Sequence, residues 1–220
     1  MRITLIHAMT PSIQPIMQAF GRLWPEATLM NLLDDSLATD LARDGALTPA
    51  MTDRFLALAR YATQTGADAI LFTCSAFGPC IEAAARAFPA IPVLKPNEAM
   101  IEEALALVGP RGRIGLMATF APTLASMPPE FAAAAPHATL VPCLAADALA
   151  ALNAGDSAGH NAAAVRAAAT LSDCEVIALA QFSLSQAAEA IAAATGRTVL
   201  TTPDSAVRKL RRLLLPAKAA

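Results

Sequence analysis

The 220-residue chain predicts an α/β protein built from two pseudo-symmetric, mostly parallel-sheet halves. Three observations predict this. Short apolar runs suited to buried parallel strands alternate with helical patterns. The stretch ADAILFTCSAFGPCIEA at 67–83 passes from a strand into a helix, with Cys74 on the turn. The second half also repeats the first: ADAILFTCSAFGPCIEAA aligns with CEVIALAQFSLSQAAEAI at an offset of about 107 residues. Likewise ITLIHAMTPS at 3–12 matches IGLMATFAPT at 114–123, with a proline and a hydroxyl residue at the same places. Repeats on this scale indicate two similar halves rather than a solenoid, whose unit runs to about 20 to 50 residues. We place the first half at 1–96, with a C-terminal helix at about 205–220 returning to it, and the second at 97–204. The site is expected in the cleft between them, a usual place for a small-molecule ligand.

Taken in order, residues 2–8 form a first strand, followed by the hydroxyl-rich loop Met9-Thr10-Pro11-Ser12. From Ile13, the recurrence of Ile16, Phe20 and Leu23 marks a helix. A second strand lies at 28–32, and an acidic turn and polar region run from Asp34 and Asp35 to Asp44. Thr48-Pro49 starts the next helix well, a capping hydroxyl followed by proline at the first helical position, and Gly66 ends it. The run 68–73 is a buried strand and Gly78-Pro79 opens an alanine-rich helix; 92–94 is a further strand. Asn97 and Asp204, each after a proline, are expected to cap helices.

Composition excludes several classes. Hydrophobic residues make up 55% of the chain and aromatic ones only 5%, so the core is built from Ala, Leu, Ile, Val and Met. A net charge of −2 offers nucleic acid no general attraction, and the cluster Arg208, Lys209, Arg211 and Arg212 reads as the solvated face of a last helix. No credible membrane span is present, because the longest uncharged stretches are interrupted by prolines and polar residues. With no apolar leader after Arg2, the expected location is cytoplasmic. Four cysteines and three scattered histidines do not make a zinc pattern, so free thiols and no metal are expected.

Cys74 is the chemical centre that this organisation suggests. In an open α/β sheet the ligand crevice lies outside the carboxyl ends of the strands. A thiol there is expected to feel backbone N–H groups and a helix dipole that favour thiolate. Cys80, a turn or two into the helix, reads as a core thiol. His7 reads as a satisfied buried histidine; Cys143, after the strand-like ATLVP, is a weaker approach to the cleft.

These motifs resemble the aspartate/glutamate racemase superfamily, which includes glutamate, aspartate and hydantoin racemases, maleate isomerases and arylmalonate decarboxylase. ILFTCSAFGP, with Cys74 then Ser75, looks like that family's first-cysteine motif. The resemblance implies a cofactor-independent enzyme acting on a small carboxylate, and a homodimer or larger assembly. The departure is at the second cysteine, where the repeat places Gln181, which carries no proton to take or give at neutral pH. One thiol leaves three chemistries open: addition to and elimination from an activated double bond, protonation of a carbanion after loss of carbon dioxide, and nucleophilic attack on a carbonyl. Each develops an anion that neutral donors must hold, and Thr10, Ser12, Ser75, Thr119, Thr123, Gln181 and Ser183 are the candidates. The alternative is a non-catalytic small-acid-binding protein on the same scaffold. A nucleotide-binding flavodoxin-like domain is disfavoured, since no glycine follows the first strand in MTPSIQP.

Overall fold

The short apolar runs become strands, and every strand pairing among the described residues is parallel. The structure is a computed structural model that describes residues 1–215. Its chain separates into two units: Met1–Pro96 with the last helix from Ala206 on, and Asn97–Ser205.

In the first unit, β1 (Arg2–His7) leads through a 3-10 turn at Thr10–Ser12 into α1 (Ile13–Leu23) and β2 (Thr28–Leu33). Then come α2 (Ser36–Asp44), α3 (Pro49–Gln64), β3 (Ala69–Phe72), a 3-10 turn at Ser75–Phe77, α4 (Gly78–Ala87) and β4 (Val93–Leu94). The sheet order is β2-β1-β3-β4. The inner strands β1 and β3 are buried almost throughout, as expected for central strands of a parallel sheet. The edge strand β2 is far more exposed. Thr48 caps α3 by accepting from the Met51 N–H at 3.2 Å, and Gly66, at φ 82°, takes the left-handed turn beyond it.

Residues 36–44, expected only as a polar region, form a helix. Leu37 and Leu41 lie four apart and so share a face; Leu37 is fully buried in the core and Leu41 packs against it. The rich Asp and Ser content masks this short apolar stripe. Arg54 on α3 secures the segment, pairing with Asp34 and Asp40 at 2.6 Å each.

The second unit repeats the plan. Its elements are α5 (Glu98–Val108), β5 (Arg113–Ala118), α6 (Ala121–Ala134), β6 (Thr139–Leu144), α7 (Ala146–Asn153), α8 (Ser157–Ala168), β7 (Val176–Leu179), α9 (Ala188–Thr195), β8 (Thr198–Thr201) and the start of α10 (Thr202–Leu214). The sheet order is β6-β5-β7-β8. The repetition extends to single bonds. Asp68 accepts from the Arg2 N–H at 2.7 Å, and Glu175 from the Arg113 N–H at 2.9 Å, each an acid just before the second inner strand anchoring the start of the first. At the other end Thr73 N–H donates to Ile6 O at 3.0 Å and Ala180 N–H to Met117 O at 2.9 Å.

The two capping expectations change. Asn97 occupies the N-cap position of α5 but makes no capping bond with its side chain, which contacts Met127 and accepts from Thr202 at 3.5 Å. Asp204 lies inside the first turn of α10, and the Thr201 hydroxyl accepts its N–H at 3.1 Å. The hydroxyl one turn earlier is the group in reach of that orphan donor. Helix α6 continues through Pro128 and Pro129, where sequence rules place a break. Among the described residues no helix is long and apolar enough to cross a membrane.

The core behind Cys74 is aromatic despite the aromatic-poor composition. Phe55 on α3 stacks on Phe72 of β3 and meets Phe77 of the following turn, each at 5.0 Å between ring centroids. Removing that ring leaves a cavity under both ends of the Cys74 turn. Phe55→Ala is expected to destabilise the protein by about 3–5 kcal/mol, read as a lower urea midpoint with loss of protection in the 73–78 segment by hydrogen exchange.

Candidate active site

Parallel pairing delivers the strand ends to one edge of each sheet. In the first unit the ladder runs one residue past β3, through the Thr73 N–H bond to Ile6 O, so Cys74 is the first residue beyond the sheet. Its backbone is extended, at φ −126° and ψ 117°, and turns into the 3-10 segment that enters α4. The side chain is half-buried against a tight hollow lined by Ile6, His7, Ala8, Leu37, Phe55 and Phe72.

These surroundings reverse the expected electrostatics. Burial pushes the Cys74 thiol up, and the opposing bond from the Ala76 backbone does not overcome it. The dipole of α4 gives little help, because that helix begins at Gly78, four residues further on, and a helix-end field falls off within a turn. At neutral pH this environment favours the thiol over the thiolate.

Ser12 joins this turn. Its hydroxyl lies 2.9 Å from Thr73 Oγ1 and 3.0 Å from His7 Nδ1, and donates to Met9 O at 2.8 Å. Ser75 is half-buried directly after Cys74, whereas Thr10 is exposed in the turn before α1. His7 is the satisfied buried histidine that the sequence suggests, and sequence reasoning missed its partners Thr73 and Asn31. The strand period could have found them. Register places Leu5 opposite Asn31 and His7 opposite Leu33, so all four share one face, and Thr73 follows Phe72, the partner of Ile6.

In the second unit Gln181 stands after β7 where the repeat puts it. Its Oε1 accepts from the Thr119 N–H at 2.5 Å and from the Thr119 hydroxyl at 2.9 Å. A backbone N–H can only donate, so this bond fixes which way round the amide lies, and Nε2 with its two hydrogens points away from Thr119. The buried Thr119 hydroxyl is thereby engaged in orienting Gln181. Thr123 is half-buried near the start of α6, and Ser183 is half-buried in the 3-10 turn Phe182–Ala187 after Gln181. Among the described residues, neither side chain hydrogen-bonds to Gln181.

The other cysteines lie in cores. Cys80 is fully buried, 3.4 Å from Thr52 Oγ1. Cys143 turns inward and donates to Ala167 O at 3.4 Å, so it belongs to the packing of α8 rather than to the strand-end site. Cys174 is buried before β7 begins.

A family model described as Asp/Glu/Hydantoin racemase matches residues 7–210. No curated protein matches the chain. Among solved structures, a point mutant of arylmalonate decarboxylase in a sulfate-associated form superposes with a TM-score of 0.70 at 18% identity, over 100% of this chain and 96% of that one. Glutamate racemase from Francisella tularensis subsp. tularensis, in complex with D-glutamate, gives 0.68 at 16% identity, over 99% and 84%. Aspartate racemase from Picrophilus torridus gives 0.67 at 11% identity, over 97% and 94%. At these identities the likeness establishes the shared fold.

The buried thiol has a measurable pH signature. The folded protein holds the Cys74 proton more tightly than the unfolded chain does. The stability this provides is fully present below the unfolded thiol value of about 8.5 and declines as pH rises beyond it. Iodoacetamide labelling followed by peptide mass spectrometry is expected to show Cys74 reacting more slowly at pH 8 in the native protein than in urea, with the native rate still climbing above pH 9, roughly where an unperturbed thiol levels off.

Proposed function

Because the chain belongs to the Asp/Glu/hydantoin racemase family, we propose that it is a cofactor-independent isomerase or decarboxylase that acts on a small carboxylate or carbonyl compound through a single thiol, Cys74. The observation that carries this reading is Gln181 at the position the repeat pairs with Cys74, its carbonyl oxygen held by Thr119. Two-base racemisation needs an acid and a base on opposite faces of the stereocentre. An amide is neither, so the chemistry favoured is delivery of a proton by one group.

Such a step balances simply. In decarboxylation, the bond between the substrate carbon and its carboxylate breaks, its electron pair stays on the carbon as an enolate, and carbon dioxide leaves. The S–H bond of Cys74 then breaks as a C–H bond forms, and solvent returns a proton to sulfur. A thiol whose burial keeps it protonated at neutral pH suits that role. The neutral donors proposed for the developing anion are, in the first unit, the hydroxyls of Thr10, Ser12 and Ser75 and, in the second, the two Nε2 hydrogens of Gln181 and the hydroxyls of Thr123 and Ser183. Thr119 contributes by orienting the glutamine.

Arylmalonate decarboxylase and the glutamate and aspartate racemases suggest the compounds to test first: arylmalonates, glutamate and aspartate. In deuterated water, a substrate is expected to release carbon dioxide or acquire deuterium at one carbon, read by mass spectrometry. Cys74→Ser is expected to lower that rate by about 10²- to 10⁴-fold, and Gln181→Ala to raise KM more than it lowers kcat. If acids bind wild type and Cys74→Ala equally and none is ever consumed or labelled, the chain is a binding protein and the enzymatic reading fails.

A further inference from the structure

β2 is the outer strand of the first sheet, and Thr28, Met30, Asn31 and Leu33 lie exposed along it. Its backbone groups can be assigned one by one. Thr28 N–H donates to Met1 O at 2.9 Å, and Asp34 N–H, just past the strand, to His7 O at 3.0 Å. The register is parallel, with Thr28 opposite Arg2 and Leu33 opposite His7. Alternation between these two fixed ends turns the N–H and C=O groups of Thr28, Met30 and Leu32 towards β1. Leu29, Asn31 and Leu33 turn theirs outward. Among the described residues no backbone bond beyond the ladder reaches them.

The second unit closes the equivalent edge. There Thr139 N–H donates to Gly112 O at 3.0 Å and Ala145 N–H to Ala118 O at 2.8 Å, so the outward row of β6 is Leu140, Pro142 and Leu144. Its central residue has no N–H to offer, and proline on an edge strand blocks further pairing. Asn31 stands opposite Leu5 and Pro142 opposite Leu116, residues that the repeat aligns. The same position is therefore shut in one unit and open in the other. Nothing else protects β2: TLMNLL contains neither a charge nor a proline.

We propose that β2 is the seam of a homodimer, in which two copies pair this strand antiparallel about Asn31 and join two four-stranded sheets into one. The outward row reads Leu-Asn-Leu in either direction, so it fits its own reversed copy. Asn31 meets Asn31 of the second copy, Leu29 meets its Leu33, and Met30 meets its Leu32. Each outward N–H then finds an outward C=O, and apolar side chains face one another with no like charges opposed. Thr28 meets Asp34 of the second copy, whose carboxylate is already paired with Arg54. A stable interface needs about 1,200 Å² or more in all, which calls for flanking surface besides a strand. Helix α1 lies where that surface is required. Gln14, Met17, Gln18 and Gly21 form an exposed, uncharged stripe at helical spacing, and Met17 Sδ is 3.6 Å from Asn31 Nδ2. A Cβ at Gly21 would meet nothing within 4 Å in its own chain, so this mid-helix glycine, disfavoured against alanine, leaves room for a second helix.

Sedimentation of the full-length protein, with amide-resolved hydrogen exchange over the same concentration series, tests this. Twice the chain mass is expected in concentrated solution. Between dilute and concentrated protein the Leu29, Asn31 and Leu33 amides are expected to slow by at least about tenfold, whereas those of Thr28, Met30 and Leu32 are protected throughout. Asn31→Pro copies the second unit and is expected to give monomer, while Asn31→Ala keeps the outward N–H and the dimer. Leu33→Lys, which leaves the backbone untouched, is expected to raise the dimer Kd at least about tenfold and serves if the proline variant does not fold. A dimer whose three outward amides stay open, or one that folded Leu33→Lys leaves unweakened, overturns the proposal. So does a monomer at every concentration, which leaves the edge to a strand from another protein.

Discussion

The bond from the Thr73 N–H to Ile6 O, at 3.0 Å, decides what the first unit can do. It ends the ladder between β1 and β3 one residue short of Cys74, so the thiol leaves the sheet at the edge where parallel strands terminate. Because it joins the same two strand ends that carry His7 and Thr73, it also brings the imidazole and the threonine hydroxyl to 2.9 Å. Parallel pairing makes such an edge unavoidable: every strand points the same way, so every loop that follows a strand emerges on that side. The aromatic stack of Phe55, Phe72 and Phe77 supports the turn from below.

The second unit keeps the frame and changes the contents. Its equivalent bond, Ala180 N–H to Met117 O at 2.9 Å, puts Gln181 where the first unit has Cys74. The histidine becomes Ala118 and the threonine before the functional position becomes Ala180, so the proton-bearing cluster has no counterpart there. In its place Thr119 provides two donors to one amide oxygen. One strand end gathers an imidazole and two hydroxyls, and the other fixes an amide. Both units keep the backbone ladder and an acid anchor, Asp68 and Glu175, and differ in the side chains at the strand ends.

Much of this was legible in the chain because it depends on local pattern. Apolar runs, the Thr48-Pro49 start and the internal repeat each arise from neighbours in sequence. So does the placing of Cys74 and Gln181, since the first residue after a buried strand can be counted. What escaped was short or non-local. Helix α2 carries only Leu37 and Leu41 on its apolar stripe, amid turn-forming residues. Asn31 meets His7 across 24 positions of sequence and a strand register, and Thr73 meets it across 66. The capping group of α10 is Thr201 rather than Asp204, a shift of three residues that only the helix boundary reveals.

The sequence by itself determined the fold class, the twofold repeat and the identity of the groups at the two strand ends, because strand period and helical period are properties of consecutive residues. The tertiary structure decided the state of those groups. It keeps Cys74 a thiol, since desolvation depends on Leu37, Phe55 and Phe72 converging from three separate elements, whereas the favourable helix end is four residues too far along the chain. It sets His7 between Asn31 and two hydroxyls, and it turns Gln181 into a donor, because an amide takes its orientation from a backbone N–H that can only donate.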